Sequence, residues 1–211
     1  MSSCCSNDTC SSTSAARSQG ATLKVVLGIN AAMFVVELTA GLLAGSSALL
    51  ADSLDMFGDA LVYGFSLYAV GRSMRLRAVA ALLKGAIMAV FGVAVLVHTL
   101  VQASLGGLPA APAMGAVGTL ALAANLICLW LLTRHRSDDI NMRSVWLCSR
   151  NDVAANAGVL VAAAAVWLLQ SPWPDLLVGL AIAGLFLRSA GEVLLSALHQ
   201  IRRPTGETGV G

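Results

Sequence analysis

Residues 48–71 read Ala48-Leu-Leu-Ala-Asp52-Ser-Leu-Asp55-Met-Phe-Gly-Asp59-Ala-Leu-Val-Tyr-Gly-Phe-Ser-Leu-Tyr-Ala-Val-Gly71. The stretch is apolar and has the length that crosses a bilayer, roughly 20 residues for about 30 Å of hydrocarbon. It nevertheless holds Asp52, Asp55 and Asp59. An ionisable side chain inside a span costs about 2.5–3.5 kcal/mol on insertion scales, so three in one span need a reason. As a helix, the stretch puts Asp55 and Asp59 about 40° apart and Asp52 within about 60° of Asp55, all on one face. Carboxylates so placed repel unless they are protonated or share a cation. The span has no Lys or Arg to supply one, and a metal ion is the simplest partner. Asp52 has a second reading, as a helix-start residue facing water.

The rest of the chain agrees with a membrane setting. Of its 211 residues 57% are hydrophobic and only 11% charged, against about a quarter charged in soluble domains. That excludes an ordinary cytosolic enzyme, and the long Ala/Leu/Val runs disfavour a β-barrel. A net charge of +2 is too small to suggest nucleic-acid binding. The expected fold is all-α, with six transmembrane helices at residues 23–44, 48–71, 80–105, 112–133, 145–169 and 174–198. Three connections are Gly/Pro-rich turns without Lys or Arg: Gly45-Ser46-Ser47, Gly106-Gly107-Leu108-Pro109 and Ser171-Pro172-Trp173-Pro174. The basic residues Arg17, Lys24, Arg72, Arg75, Arg77, Arg134, Arg136, Arg143, Arg202 and Arg203 all fall on the opposite side. The positive-inside rule then puts both termini in the cytoplasm.

Residues 1–22 are rich in Ser, Thr, Cys and Asn and lack the pattern of a signal peptide; they are expected to be a disordered tail. Residues 199–211 are expected to be a second short tail, leaving 23–198 as the one folded domain. Cys4, Cys5 and Cys10 in the first tail are expected to stay reduced. They read either as soft metal ligands or as incidental thiols.

Span five supplies the complement to Asp55 and Asp59. Its run Cys148-Ser-Arg-Asn-Asp152-Val-Ala-Ala-Asn156-Ala-Gly-Val159 puts Cys148 and Asp152 one turn apart on one face, with Asn156 a turn further. Two such pairs on facing helices offer three carboxylates and a thiolate, a donor set that suits tetrahedral Zn²⁺. Cys148 alone would more often be a small buried hydrophobe than a ligand, and it is its spacing to Asp152 that raises it; Asn156 reads either as helix-to-helix glue or as part of the site. In span one, Asn30 and Glu37 share a face. Glu37 is deep enough to need a role: lining the ion path, carrying protons, or pairing with Arg188 or Lys84. Arg188 and Glu192 are spaced to pair with each other. Lys84 reads as a snorkelling residue, His98 as a structural or proton-exchanging group, and Cys128 as packing.

These residues carry a resemblance. Gly45-Ser-Ser-Ala-Leu-Leu-Ala-Asp-Ser-Leu-Asp-Met-Phe-Gly-Asp59 resembles the second-span signature of the cation diffusion facilitator family, G-S-x-A-L-x-A-D-A/S-x-H/D-M-x-x-D. The span-five run resembles the family's H-x-x-x-D followed by small residues and Gly-Val. The resemblance implies a transport site at Asp55, Asp59, Cys148 and Asp152, with Asp52 beside it. It further implies export of Zn²⁺ or a related divalent ion from the cytoplasm against protons, as a homodimer. Two features depart from the family pattern. Cys148 stands where the family has His, which favours softer ions such as Zn²⁺ and Cd²⁺ over Mn²⁺. The sequence also shows neither a His-rich loop at residues 134–141 nor the family's C-terminal metal-binding domain, since it ends thirteen residues after Leu198.

The expected function is therefore a multi-pass transporter, in the inner membrane of a bacterium, that exchanges a divalent metal for protons. Asp and Cys bind metal only when deprotonated, which couples the two fluxes. No cofactor is expected, and no Gly-x4-Gly-Lys-Ser/Thr sequence supports ATP drive. The rivals are a non-transporting metal sensor or accessory protein and an intramembrane aspartyl hydrolase using Asp59 with Asp152.

Overall fold

The computed structural model describes residues 7–69, 74–134 and 140–202. They form six helices: α1 (Asn7–Ala44), α2 (Ser47–Ala69), α3 (Met74–Leu105), α4 (Ala111–Thr133), α5 (Ile140–Leu169) and α6 (Trp173–Arg202). Among the described residues there is no strand. The segments Gly20–Ala44, Ala81–Leu105, Ala111–Thr133, Ser149–Leu169 and Trp173–His199 are long and apolar enough to cross a membrane. The sixth helix, α2, is 23 residues long and is set apart by its three aspartates.

The helices start and stop where the Gly/Pro turns predict. Gly45 takes φ +63, and the Ser46 amide donates to the Gly41 carbonyl at 3.0 Å, the six-residue closure that ends a helix on a left-handed glycine. Gly106 ends α3 at φ +67, its own amide donating to the Gln102 carbonyl at 3.1 Å. Gln170 ends α5 at φ 48, an unusual conformation for a residue with a Cβ. Helix α1 begins at Asn7, well before the predicted span. The intervening residues contain no proline, and a helix nucleated by an apolar run extends at one hydrogen bond per added residue.

Helix α2 lies at the centre, in contact with α1, α3, α5 and α6, while α4 packs on α1 and α5. Its first turns are wholly buried: Ala48, Leu49, Leu50, Ala51 and Leu54 are the middle of the largest apolar cluster, with Ile182, Ala183 and Phe186 from α6. The outward faces are apolar as well, with Leu43, Val161, Leu185 and Leu195 exposed, as lipid contact requires. Trp167 and Trp173 are exposed near the α5–α6 turn. At the other end the Arg134 guanidinium lies 4.6 Å from the Trp130 ring and that of Arg150 lies 5.7 Å from the Trp146 ring. Aromatic and cationic groups at the two ends match the two interfaces of a bilayer.

Candidate metal centre

Asp55 sits about 12 Å and Asp59 about 18 Å along α2 from Ser47, at 1.5 Å per residue. Both line a cavity of about 490 Å³, and Asp152 of α5 lines it from the facing side. The three carboxyl groups thus share the wall of one cavity. Carboxylates so grouped repel unless they are protonated or share a cation. The three predicted carboxylates are thus brought together by the 3.6-residue period of two crossing helices. Among the described residues no three His, Cys, Asp or Glu side chains are drawn in tightly enough to hold an ion as they stand. The fourth predicted donor, Cys148, lies on α5 one turn from Asp152, and its side chain is outside the described residues.

From the carboxylates the cavity continues along the C-terminal half of α6, where Arg188, Ser189 and Glu192 line it, with Lys84 opposite on α3. Arg188 Nε donates to Glu192 at 3.1 Å, the expected pair, and both side chains are exposed. In the other direction, towards the start of α2, Leu49, Leu50 and Leu54 are buried and do not line it.

One turn in that direction is a second polar layer. Asp52 is fully buried, which rules out its reading as a water-facing helix-start residue. Asn156 Nδ2 donates to Asp52 Oδ1 at 3.3 Å and to the Asp152 carbonyl at 3.0 Å. Asn156 therefore does tie α5 to α2. Glu37 is also fully buried on α1, on one face with Asn30 as predicted. Among the described residues neither of its oxygens has a hydrogen-bond partner. Of the three readings open to Glu37, the pairing with Arg188 or Lys84 is therefore not formed, and Arg188 is bonded to Glu192 instead. Cys128 is buried as expected, with Asn30 Nδ2 at 3.9 Å from its sulfur. His98 Nδ1 has no partner among the described residues. Of the tail thiols, Cys4 and Cys5 lie outside the described residues; Cys10 falls within α1, its side chain likewise outside them.

The sequence reading passed over Asp175. Placed in the first turn of α6, it reads as a residue that caps its own helix. It caps α2 instead. Its Oδ2 accepts from the Ser47 amide at 2.7 Å, and its Oδ1 accepts from the Ala48 amide at 3.1 Å and the Ser46 hydroxyl at 2.6 Å. Ser46 Oγ in turn accepts from the Leu49 amide at 3.1 Å. Three of the four amides that a helix start leaves without a partner are thereby satisfied in a dry environment. Gly179, one turn on from Asp175, makes the approach possible: a Cβ there would lie 2.6 Å from the Ser47 carbonyl carbon. Gly179 is the one local signal that could have pointed to the contact.

Helices enclosing a carboxylate-lined cavity, with apolar outer faces, define a multi-pass membrane protein. A family model described as the cation efflux transmembrane domain matches residues 23–201. The chain belongs to the cation efflux family. It is similar to the zinc transporter ZitB of Escherichia coli (strain K12), 27% identical over 194 residues, 85% of this chain and 61% of that one. ZitB of Pectobacterium atrosepticum is 30% identical over 194 residues, 84% of this chain and 59% of that one. The cadmium, cobalt and zinc/H(+)-K(+) antiporter of Bacillus subtilis is 24% identical over 187 residues, 82% and 60% of the respective chains. The chain thus spans about three fifths of the length of these relatives.

Proposed function

We propose that this chain is a transporter that moves a divalent metal ion, Zn²⁺ or Cd²⁺, out of the cytoplasm in exchange for protons. The observation that carries this reading is the grouping of Asp55, Asp59 and Asp152 in the wall of one cavity among the helices. Metal binding there displaces protons and protonation displaces metal, so one site serves both fluxes. The relatives named for zinc, cadmium and cobalt transport support the cargo class. Those names describe transport rather than hydrolysis, and the aspartyl hydrolase reading has no support beyond the carboxylates. The basic flanks support a placement with both termini in the cytoplasm of a bacterium and the cavity opening inward. Arginines and tryptophans at the ends of α4 and α5 fit that orientation. The working unit is proposed to be a homodimer.

The test is uptake by vesicles reconstituted with the purified full chain, under an imposed pH gradient, for Zn²⁺, Cd²⁺, Co²⁺ and Mn²⁺ in parallel. Zn²⁺ and Cd²⁺ should move, with counterflow of protons. Asp59→Ala and Asp152→Ala should abolish flux while the protein stays folded and inserted. Wild-type flux in either variant sinks the site. Metal binding without flux in the unaltered chain favours a sensor or accessory protein.

A further inference from the structure

We propose that Glu37, Asp52 and Asn156 form a second cation position, one helical turn beyond the main site, which takes a divalent ion through oxygen donors alone. The proposal rests on the reading of the aspartate site as a divalent-ion site. Asp52 precedes Asp55 by three residues on α2 and Asn156 follows Asp152 by four on α5. The two helices run in opposite directions past each other, so both steps lead the same way, by about 4.5–6 Å. The bond between Asn156 and Asp52 confirms that they meet there.

The orientation of the Asn156 amide is forced. Both of its bonds are to acceptors, a carboxylate oxygen and a backbone carbonyl, so nitrogen must face them. Its Oδ1 is then left with no donor, although the residue is fully buried. Asp52 Oδ2 and both oxygens of Glu37 are in the same condition. These are four acceptor oxygens without a hydrogen-bond donor. Helix α1, which carries Glu37, packs along α2, and the acidic neighbours of Glu37 there are Asp52 and Asp55. Buried polar oxygens left unpaired are costly, and more so when charged. A divalent ion held between α1, α2 and α5 would supply the partner these oxygens lack. With carboxylate and amide oxygens and no sulfur, the position suits harder ions than a site containing a thiolate. None of the three residues lines the cavity, so an ion would reach them from Asp55 and Asp152, on the path away from it.

The experiment is equilibrium dialysis of the full chain in lipid nanodiscs against Zn²⁺ and against Mn²⁺, with bound metal counted by mass spectrometry. The variants are Glu37→Gln, Asp52→Asn and Asp59→Asn. Glu37→Gln breaks no hydrogen bond in the structure, so it keeps the test valid if Asp52→Asn unfolds. The tail cysteines are present in every sample and cancel in the differences. Glu37→Gln should lose one bound ion per chain and leave the remaining Zn²⁺ affinity within threefold of wild type. Asp59→Asn should lose tight Zn²⁺ binding and retain the Mn²⁺-accepting position. Equal stoichiometry for both metals in wild type and Glu37→Gln means the layer holds protons only and overturns the proposal. One ion bound with flux intact likewise overturns it and leaves the transporter reading standing. Two ions bound without flux does the reverse.

Discussion

Replacing Asp175 by alanine should loosen the start of α2 without touching any group that faces the cavity. The substitution strips acceptors from the amides of Ser47 and Ala48 and from the Ser46 hydroxyl. The hydroxyl can turn elsewhere; the amides cannot. Ser46 and Ser47 are fully buried and Asp175 is 1% exposed, so no water waits to replace the carboxylate. Each stranded amide costs about 1–3 kcal/mol. Partial filling of the vacated space by water lowers the sum, and about 3 kcal/mol for the pair is a fair middle value. At 1.4 kcal/mol per tenfold this is about a hundredfold in the local opening equilibrium. Hydrogen exchange followed by mass spectrometry in nanodiscs reads that equilibrium directly on peptides covering residues 46–54. Protection there should fall about a hundredfold in Asp175→Ala, and less in Asp175→Asn, which keeps one carbonyl oxygen for Ser46 and Ala48. Peptides of α4, which carries none of these partners, are the internal control. Exchange of residues 46–54 within threefold of wild type in Asp175→Ala would refute the reasoning.

Gly179→Ala puts a Cβ 2.6 Å from the Ser47 carbonyl carbon and should force α6 off α2, lowering thermal stability in detergent by the equivalent of about 1–3 kcal/mol. Because it disturbs the same contact, Asp175→Ala should cost less in its background than alone; full additivity speaks against a shared contact. Cys148 should tune ion preference, not permit transport: the Cd²⁺/Zn²⁺ flux ratio should fall from wild type to Cys148→His and again to Cys148→Asp. Equal ratios in all three would make Cys148 a packing residue. Deleting residues 2–16 should reduce uptake at scarce metal and spare the maximal rate, and total loss in a stably inserted protein would place the tail in the pathway.

The six helices were legible because an apolar run of about 20 residues bounded by Gly or Pro has few other outcomes. The grouping of Asp55, Asp59 and Asp152 was legible for a related reason. Residues four apart share a face, and buried charges leave few arrangements free of cost. What the sequence hid is non-local. Asp175 is 127 residues from Ala48, and its own helix offers a local explanation that conceals the distant one. The burial of Asp52 depends on Asn156 arriving from α5. The expected partners of Glu37 failed for the same reason: depth along a helix can be counted from sequence, but the direction a residue faces in the bundle depends on which helices become neighbours. Lys84 and Arg188 share the wall of the cavity with the aspartates and lie on the other side of them from Glu37.

The contacts at the start of α2 also bear on how the helices can part there. A path past Leu50 and Leu54 can part α2 from α6, at Ser47 and Gly179, or from α1, where a Cβ on Gly41 would lie 2.9 Å from the Leu50 side chain. Parting α2 from α6 breaks the three bonds to Asp175. If lipid tails fill the gap, two amides and a carboxylate are left in hydrocarbon, at several kcal/mol for each unsatisfied group. If water fills it, each lost bond is replaced and the net loss shrinks to about 0.5–1.5 kcal/mol apiece, somewhat more for those to the charged carboxylate. The clasp therefore discriminates between the two ways of opening by several kcal/mol. It resists a breach towards the bilayer and yields to a cleft that is already wet. An apolar contact of the same area could not do this, because lipid replaces leucine at little cost while water does not. A carboxylate clasp at a helix start is thus suited to the end of a pathway that must exclude lipid and admit water.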